Sequence, residues 1–327
     1  MQARPTIAIL ASVALLASCG DDAGSSASGG AGASGSGGTQ AAPSSSPSSG
    51  APSTSSAGDG GASSGGGDVA SSSGASAPTA SSSTGGSTVG CGSDSPTGVI
   101  PISIDVQGTT RTGVLSVPEG YDKDTPIPLV FAWHGAGNTG EGARSYFGIE
   151  QASAGGAIFV YLDGLPVDGG GSGWDLTGDG REIDLFDAEL TAIKSSYCID
   201  DQRIFSTGHS YGGYMTNAAG CARASVLRAI APVAGGGPYF ECDPAGVPAL
   251  VIHGDPDDVV SFDQGEASRD HWLDQDGCAA TSQATEPEGC VAYDGCVTGP
   301  VELCVHGENH NWPAMAPAKI WRFFSQL

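Results

Sequence analysis

The run Arg203-Ile204-Phe205-Ser206-Thr207-Gly208-His209-Ser210-Tyr211-Gly212-Gly213-Tyr214-Met215 decides how the rest of the chain is read. A short apolar stretch enters Gly-x-Ser-x-Gly, and a helical pattern over 211–222 leaves it. Strand, tight glycine turn and helix, in that order, lift a serine hydroxyl above the edge of a sheet at a helix N-terminus, the arrangement known as a nucleophile elbow. The pentapeptide alone has no such force, because Gly61-Ala62-Ser63-Ser64-Gly65 matches it too. No strand precedes that copy and no helix follows it, so Ser210 is the candidate nucleophile and Ser63 is not.

Working outward from Ser210, short apolar runs bounded by Gly, Pro or Asp occur at Ile127–Trp133, Ala157–Leu162, Arg203–Thr207, Arg228–Val233, Ala249–His253 and Val301–Val305. Helical patterns near 145–154, 184–196, 211–222, 262–274 and 314–326 lie between or after them, and a hairpin of about 98–107 and 111–117 comes first. Strands alternating with helices predict an α/β fold with a mostly parallel central sheet, buried strands and helices on both faces. Chemistry in such sheets sits at the carboxyl ends of the strands.

A serine nucleophile needs a base to take its proton and an acid to orient that base. The strand ending at Ile252 runs into His253-Gly254-Asp255-Pro256-Asp257-Asp258, so three aspartates compete for the acid. The strand ending at Val305 runs into His306-Gly307-Glu308-Asn309-His310-Asn311-Trp312-Pro313, so two histidines compete for the base. Ser, then Asp, then His is the chain order of α/β-hydrolases. In that reading His134-Gly135-Ala136-Gly137, after the strand Ile127–Trp133, presents backbone amides as an oxyanion hole. The expected donors are Ala136, with Gly137 as the alternative, and Tyr211.

Two rival readings use the same residues. Gly135-x-Gly137-x-x-Gly140, with Asp163 further on, satisfies a dinucleotide-binding fingerprint. A histidine before the first glycine, a preceding antiparallel hairpin and an exported setting without nicotinamide cofactor argue against it, and no cofactor is expected. Cys290, Cys296, Cys304, His306 and His310 suggest a metal site, but the cysteine spacings exceed those of zinc motifs. No metal is expected.

Composition divides the chain. Residues 20–90 hold 42 Gly or Ser in 71 positions, with no Leu, Ile, Met, aromatic, Lys or Arg. Such a segment cannot bury enough apolar surface to offset ordering entropy. Ahead of it, Arg4, the apolar run Ile7–Ala17 and Leu16-Ala17-Ser18-Cys19 predict a lipoprotein signal over 1–19, with Cys19 as lipid anchor. The linker would then span about 45 Å r.m.s. as a Gly/Ser coil, leaving 91–327 as one folded domain that touches a membrane only through the anchor. The eight remaining cysteines of an exported chain predict up to four disulfides, with Cys296–Cys304 as the pair expected across Gly299-Pro300. The formal charge is -24. Setting aside Arg4 and the aspartates at 21, 22, 59 and 68 leaves 11 Lys+Arg against 32 Asp+Glu, so the acidity belongs to the folded domain. That balance excludes a nucleic-acid partner, which needs clustered Lys and Arg.

The run Cys198-Ile199-Asp200, Arg203-Ile204-Phe205, Gly208-His209-Ser210-Tyr211-Gly212-Gly213, Cys221 and Ala231-Pro232-Val233 resembles secreted esterases of the feruloyl esterase and polyhydroxybutyrate depolymerase type, of carbohydrate esterase family 1. His134-Gly135, Tyr161-Leu162-Asp163-Gly164, His253-Gly254-x-x-Asp257-x-x-Val260 and Gly307-x-x-His310-x-Trp312-Pro313 are similar to that family's motifs, and the likeness covers about 91–327. Ser261-Phe262 stands where many relatives have Pro-Tyr. The resemblance implies an α/β-hydrolase fold with Asp257 as orienting acid and His310 as base, and with Asp255 and His306 as neighbours. It implies a secreted serine esterase acting on feruloyl or acetyl esters of plant cell-wall xylan, with polyester depolymerase or exported serine peptidase as alternatives. His134, Trp174, His209 and Trp312 are candidate substrate contacts, and a monomer is expected.

Overall fold

The computed structural model describes residues 89–167 and 170–327. The expected lipoprotein signal over 1–19, Cys19, Ser63 and the Gly/Ser segment up to 88 lie outside the described residues. Gly90 is buried and its N–H bonds the Lys194 carbonyl at 2.9 Å, so the residue ahead of Cys91 is packed into the domain.

The elements in chain order are β1 (Gly98–Val106), β2 (Thr109–Val117), β3 (Ile127–Trp133), α1 (Gly140–Phe147), α2 (Ile149–Ser153), β4 (Ile158–Leu162), β5 (Leu165–Pro166), β6 (Ser172–Gly173), α3 (Arg181–Ser196), β7 (Ile199–His209), α4 (Tyr211–Ala222), β8 (Ala229–Val233), β9 (Ala249–Gly254), α5 (Phe262–Gln275), β10 (Ser282–Thr285), β11 (Cys290–Tyr293), β12 (Val301–His306) and α6 (Ala316–Ser325). Ten strands form one sheet in the order β1-β2-β4-β3-β7-β8-β9-β12-β11-β10. The run from β4 to β12 is parallel, and each flank is antiparallel. β5 and β6 pair separately.

Strand periodicity builds both faces of the core. Along β3, Leu129, Phe131 and Trp133 pack with Ile183 and Phe186 of α3 and Met215 of α4. Val130 and Ala132 point the other way, toward Phe147 of α1, Ile149 of α2 and Ile320 and Phe324 of α6. Two-residue alternation with apolar side chains at every position is what a strand covered on both faces requires.

The expected helix over 145–154 is instead two. Gly148 takes φ 62° and separates α1 from α2, and α1 starts earlier because the Thr139 hydroxyl accepts the Gly142 N–H at 3.1 Å. The pairing Cys296–Cys304 is also corrected. Cys290 and Cys304 are direct partners across β11 and β12, and they form the disulfide. Cys296, in the loop between those strands, pairs with Cys278, while Cys91–Cys198 and Cys221–Cys242 complete the set.

Candidate active site

β7 ends at His209 and α4 begins at Tyr211, so the single residue between them makes the whole turn. That residue, Ser210, has φ 57° and ψ −120°. A non-glycine residue there is strained by about 1–3 kcal/mol and persists only where its surroundings enforce it. The Ser210 N–H bonds the Val233 carbonyl at 2.9 Å, tying the elbow to β8. Gly212 brings α4 against β3 so closely that a Cβ would strike the Trp133 carbonyl.

His310 and Asp257 arrive from two adjacent parallel strands. β9 and β12 lie in register, with His253 opposite Val305 and Gly254 opposite His306, so the loops after them are neighbours. The His310 Nε2 is 2.8 Å from the Ser210 Oγ and its Nδ1 is 2.7 Å from the Asp257 Oδ2. The other carboxylate oxygen, Oδ1, accepts the N–H groups of Val259 at 2.9 Å and Val260 at 2.8 Å. Burial pushes the Asp257 carboxyl upward, but the bonds from His310, Val260 and Val259 outweigh it and hold the group below its ordinary value. The result is a fully buried, ionised acid aimed at one imidazole nitrogen.

Of the competing residues, Asp255 sits at the root of its loop, where its N–H bonds the His306 carbonyl at 3.0 Å. His306 packs close to Gly254 and is kept neutral mainly by burial. His253 lies beneath the acid, with Nε2 donating to the Val260 carbonyl at 2.8 Å and standing 3.4 Å from the Asp257 Oδ2.

The loop after β3 faces Ser210 closely, since a Cβ on Gly135 would lie 3.3 Å from the serine Cβ. The Gly137 N–H is occupied by the Ser172 carbonyl at 2.8 Å, which leaves Ala136 as the candidate amide for an incoming oxygen. Tyr211 is the first residue of α4, where a backbone N–H has no partner within the helix. The glycine fingerprint of this loop has a packing cause. A Cβ on Gly140 would strike the Tyr161 carbonyl, and Asp163 accepts the Gly140 N–H at 2.7 Å through one oxygen and the Thr112 hydroxyl at 2.7 Å through the other.

The structure buries three of the candidate substrate contacts, His134, Trp174 and Trp312. His134 is fully buried, with Nε2 accepting the Gly164 N–H at 2.8 Å and Nδ1 2.7 Å from the Gly135 carbonyl, which assigns the proton to Nδ1. Burial keeps this imidazole below its ordinary pKa. Trp174 donates from Nε1 to the His134 carbonyl at 2.9 Å and packs edge-on against Trp133. Trp312 stacks on Phe147 with ring centroids 4.0 Å apart, donates from Nε1 to the Phe147 carbonyl at 3.0 Å and gives its backbone N–H to the Tyr146 hydroxyl. These rings hold the loops that carry Ala136 and His310. His209 is nearly buried beside His310, with centroids 5.0 Å apart, and burial followed by the charge of His310 lowers its pKa to about 3. It therefore stays a neutral neighbour. Cys290, Cys296 and Cys304 are consumed in disulfides.

The comparisons with known proteins fit this geometry. Feruloyl esterase C of Emericella nidulans is 32% identical over 259 residues, which cover 73% of this chain and 92% of that protein. The chain belongs to the feruloyl esterase family. Feruloyl esterase D of Neurospora crassa is 30% identical over 256 residues, covering 69% of the chain and 85% of the relative. The family's enzymes are carboxylic ester hydrolases, and this chain is one. An acetyl xylan esterase from Aspergillus awamori shares the fold, with a TM-score of 0.58 at 18% identity over 70% of the chain and 99% of that structure. The model of the prolyl oligopeptidase family matches residues 150–236, the span that carries the elbow.

Two side chains that bond the backbone of the site loops carried no signal singled out in the sequence. Tyr146, whose hydroxyl holds the Trp312 backbone, carries no motif of its own. Asn309 bonds two backbone amides of the site. The available signal was its type, because Asn side chains readily bind nearby backbone in loops.

Proposed function

We propose that the chain hydrolyses feruloyl and acetyl esters of plant cell-wall xylan through an acyl-enzyme on Ser210. The observation that carries the proposal is the unbroken hydrogen-bonded line from Asp257 through His310 to Ser210, in a chain of the feruloyl esterase family. His310 removes the serine proton as Oγ attacks the ester carbonyl. The amides of Ala136 and Tyr211 receive the oxyanion, and His310 returns the proton to the departing alcohol. Water then repeats the sequence on the acyl group, while Asp257 holds the imidazole in the tautomer whose Nε2 can accept.

Four disulfides mark a chain that folds in an oxidising compartment. Export and lipid attachment at Cys19 are part of the same proposal and rest on the sequence pattern of 1–19. The division into signal, Gly/Ser linker and a hydrolase domain over 91–327 rests on composition.

A panel of methyl ferulate, acetylated xylan, amorphous polyhydroxybutyrate and a proline-containing peptide tests the substrate class. Release of ferulate or acetate, with the polyester and the peptide left intact, is the expected result. Cleavage confined to the peptide would support the serine peptidase alternative, toward which the 150–236 match points. Cleavage confined to the polyester would replace the xylan assignment.

A further inference from the structure

We infer that Asn309 is a positioning residue for the ester hydrolysis, setting the distance between the acid and the base by holding their two loops together. The inference rests on the assignment of Ser210, His310 and Asp257 given above.

Asn309 lies on the loop after β12, and its side-chain Oδ1 accepts two backbone N–H groups at once. One belongs to Asp258 on the loop after β9, at 3.0 Å, and the other to His310, at 2.7 Å. Each of these amides is covalently next to the chemistry: Asp258 follows the acid, and the His310 amide belongs to the base. The acid loop thereby has three consecutive N–H groups committed. Those of Val259 and Val260 converge on the Asp257 Oδ1, and that of Asp258 is fixed from the facing loop. Among the described residues, the loops are otherwise joined by the Asp255 N–H to the His306 carbonyl at their roots and by the Asp257–His310 pair itself.

The roots alone do not define the tips. Beyond β9 and β12 the sheet supplies no register, and the bond from His310 to Asp257 is the one that must be correctly placed before it can orient the imidazole. A third link, anchored on backbone at both ends, removes that circularity. The far side of the base loop is held by Trp312 on Phe147 and Tyr146, and the Asn309 link ties the tip of the loop to the backbone on the acid side. Asn309 is exposed. Water can therefore replace it at both amides, and its loss is expected to disturb geometry more than stability.

The test compares Asn309→Ala and Asn309→Asp with wild type and Ser210→Ala, using methyl ferulate at pH 8 and a thermal melt of each protein. An aspartate carboxylate offers an acceptor to the same two amides, so it is the conservative variant. Asn309→Ala is expected to lose about tenfold to a hundredfold in kcat, with KM nearly unchanged, as a small misplacement of reacting groups does. Asn309→Asp is expected to recover most of that loss, and both variants to melt with the wild type. Full kcat in Asn309→Ala beside an inactive Ser210→Ala would overturn the inference alone. So would an Asn309→Asp as slow as the alanine variant, or a loss that tracks a fall in melting temperature. A fully active Ser210→Ala would overturn the catalytic assignment and the inference with it.

Discussion

Replacing Asp257 with Asn is expected to reduce kcat by about 10⁴-fold, equivalent to about 5.5 kcal/mol of transition-state stabilisation. The magnitude follows from which oxygen of the carboxylate does what. Oδ1 faces two fixed donors, the N–H groups of Val259 and Val260, and Oδ2 faces the His310 Nδ1. An asparagine can satisfy the two backbone donors only with its carbonyl oxygen, which turns its NH₂ group toward His310. The imidazole must then accept at Nδ1, which places its proton on Nε2, 2.8 Å from the Ser210 Oγ. A ring in that tautomer cannot take the serine proton. Because the side chain is fully buried and Asn has nearly the same shape, the fold and substrate affinity should survive. The assay is steady-state hydrolysis of a nitrophenyl acetate with a thermal melt of the same preparation. A folded Asp257→Asn enzyme retaining more than about a tenth of wild-type kcat would show that Asp257 does not set the tautomer of His310, because a wrong tautomer cannot be so mild.

Further expectations concern the elbow and the core. Gly212→Ala should destabilise the protein by about 1–3 kcal/mol and slow catalysis, because its Cβ meets the Trp133 carbonyl and forces α4 off β3; chemical denaturation measures the first effect and nitrophenyl acetate turnover the second. Glu189, nearly buried on α3, has its pKa raised by burial from 4.5 to about 7. A raised acid pKa means that the folded state holds a proton the unfolded chain releases, so stability falls as pH climbs from about 4.5 through 7. Glu189→Gln should therefore match wild type below pH 4.5 and exceed it by up to about 3 kcal/mol at pH 8 in urea denaturation; equal stability at both pH values would contradict the shift.

The parallel core was legible because its strands are short apolar runs, and in β3 nearly every position is fully buried. The elbow was legible because a serine between glycines has a distinctive meaning only between a strand and a helix, a context that separates Ser210 from Ser63. Choosing Asp257 over Asp255 and Asp258 needed more than spacing, since all three stand on one loop, and the family motif supplied the choice. The β10 and β11 hairpin was missed because Ser282–Thr285 is polar and largely exposed, with no period that distinguishes an edge strand from a loop. The error at Cys296–Cys304 followed from it, because Cys290 stands opposite Cys304 only once β11 is recognised as a strand paired with β12. The packing of the tryptophans was not legible for a related reason. Trp312 stands two residues from His310 and Trp174 in a glycine-rich loop, but whether an indole faces a substrate or bonds a backbone carbonyl is decided by tertiary packing.

Ester hydrolysis by this chain is expected to pass an acyl group through Ser210. Rapid quenching during methyl ferulate turnover, followed by peptide mass spectrometry, tests it most directly. A feruloyl adduct is predicted on the peptide carrying Ser210 in the wild type, with no adduct and no turnover in Ser210→Ala. Turnover that persists in Ser210→Ala, or an adduct on another residue, would exclude Ser210 as the nucleophile.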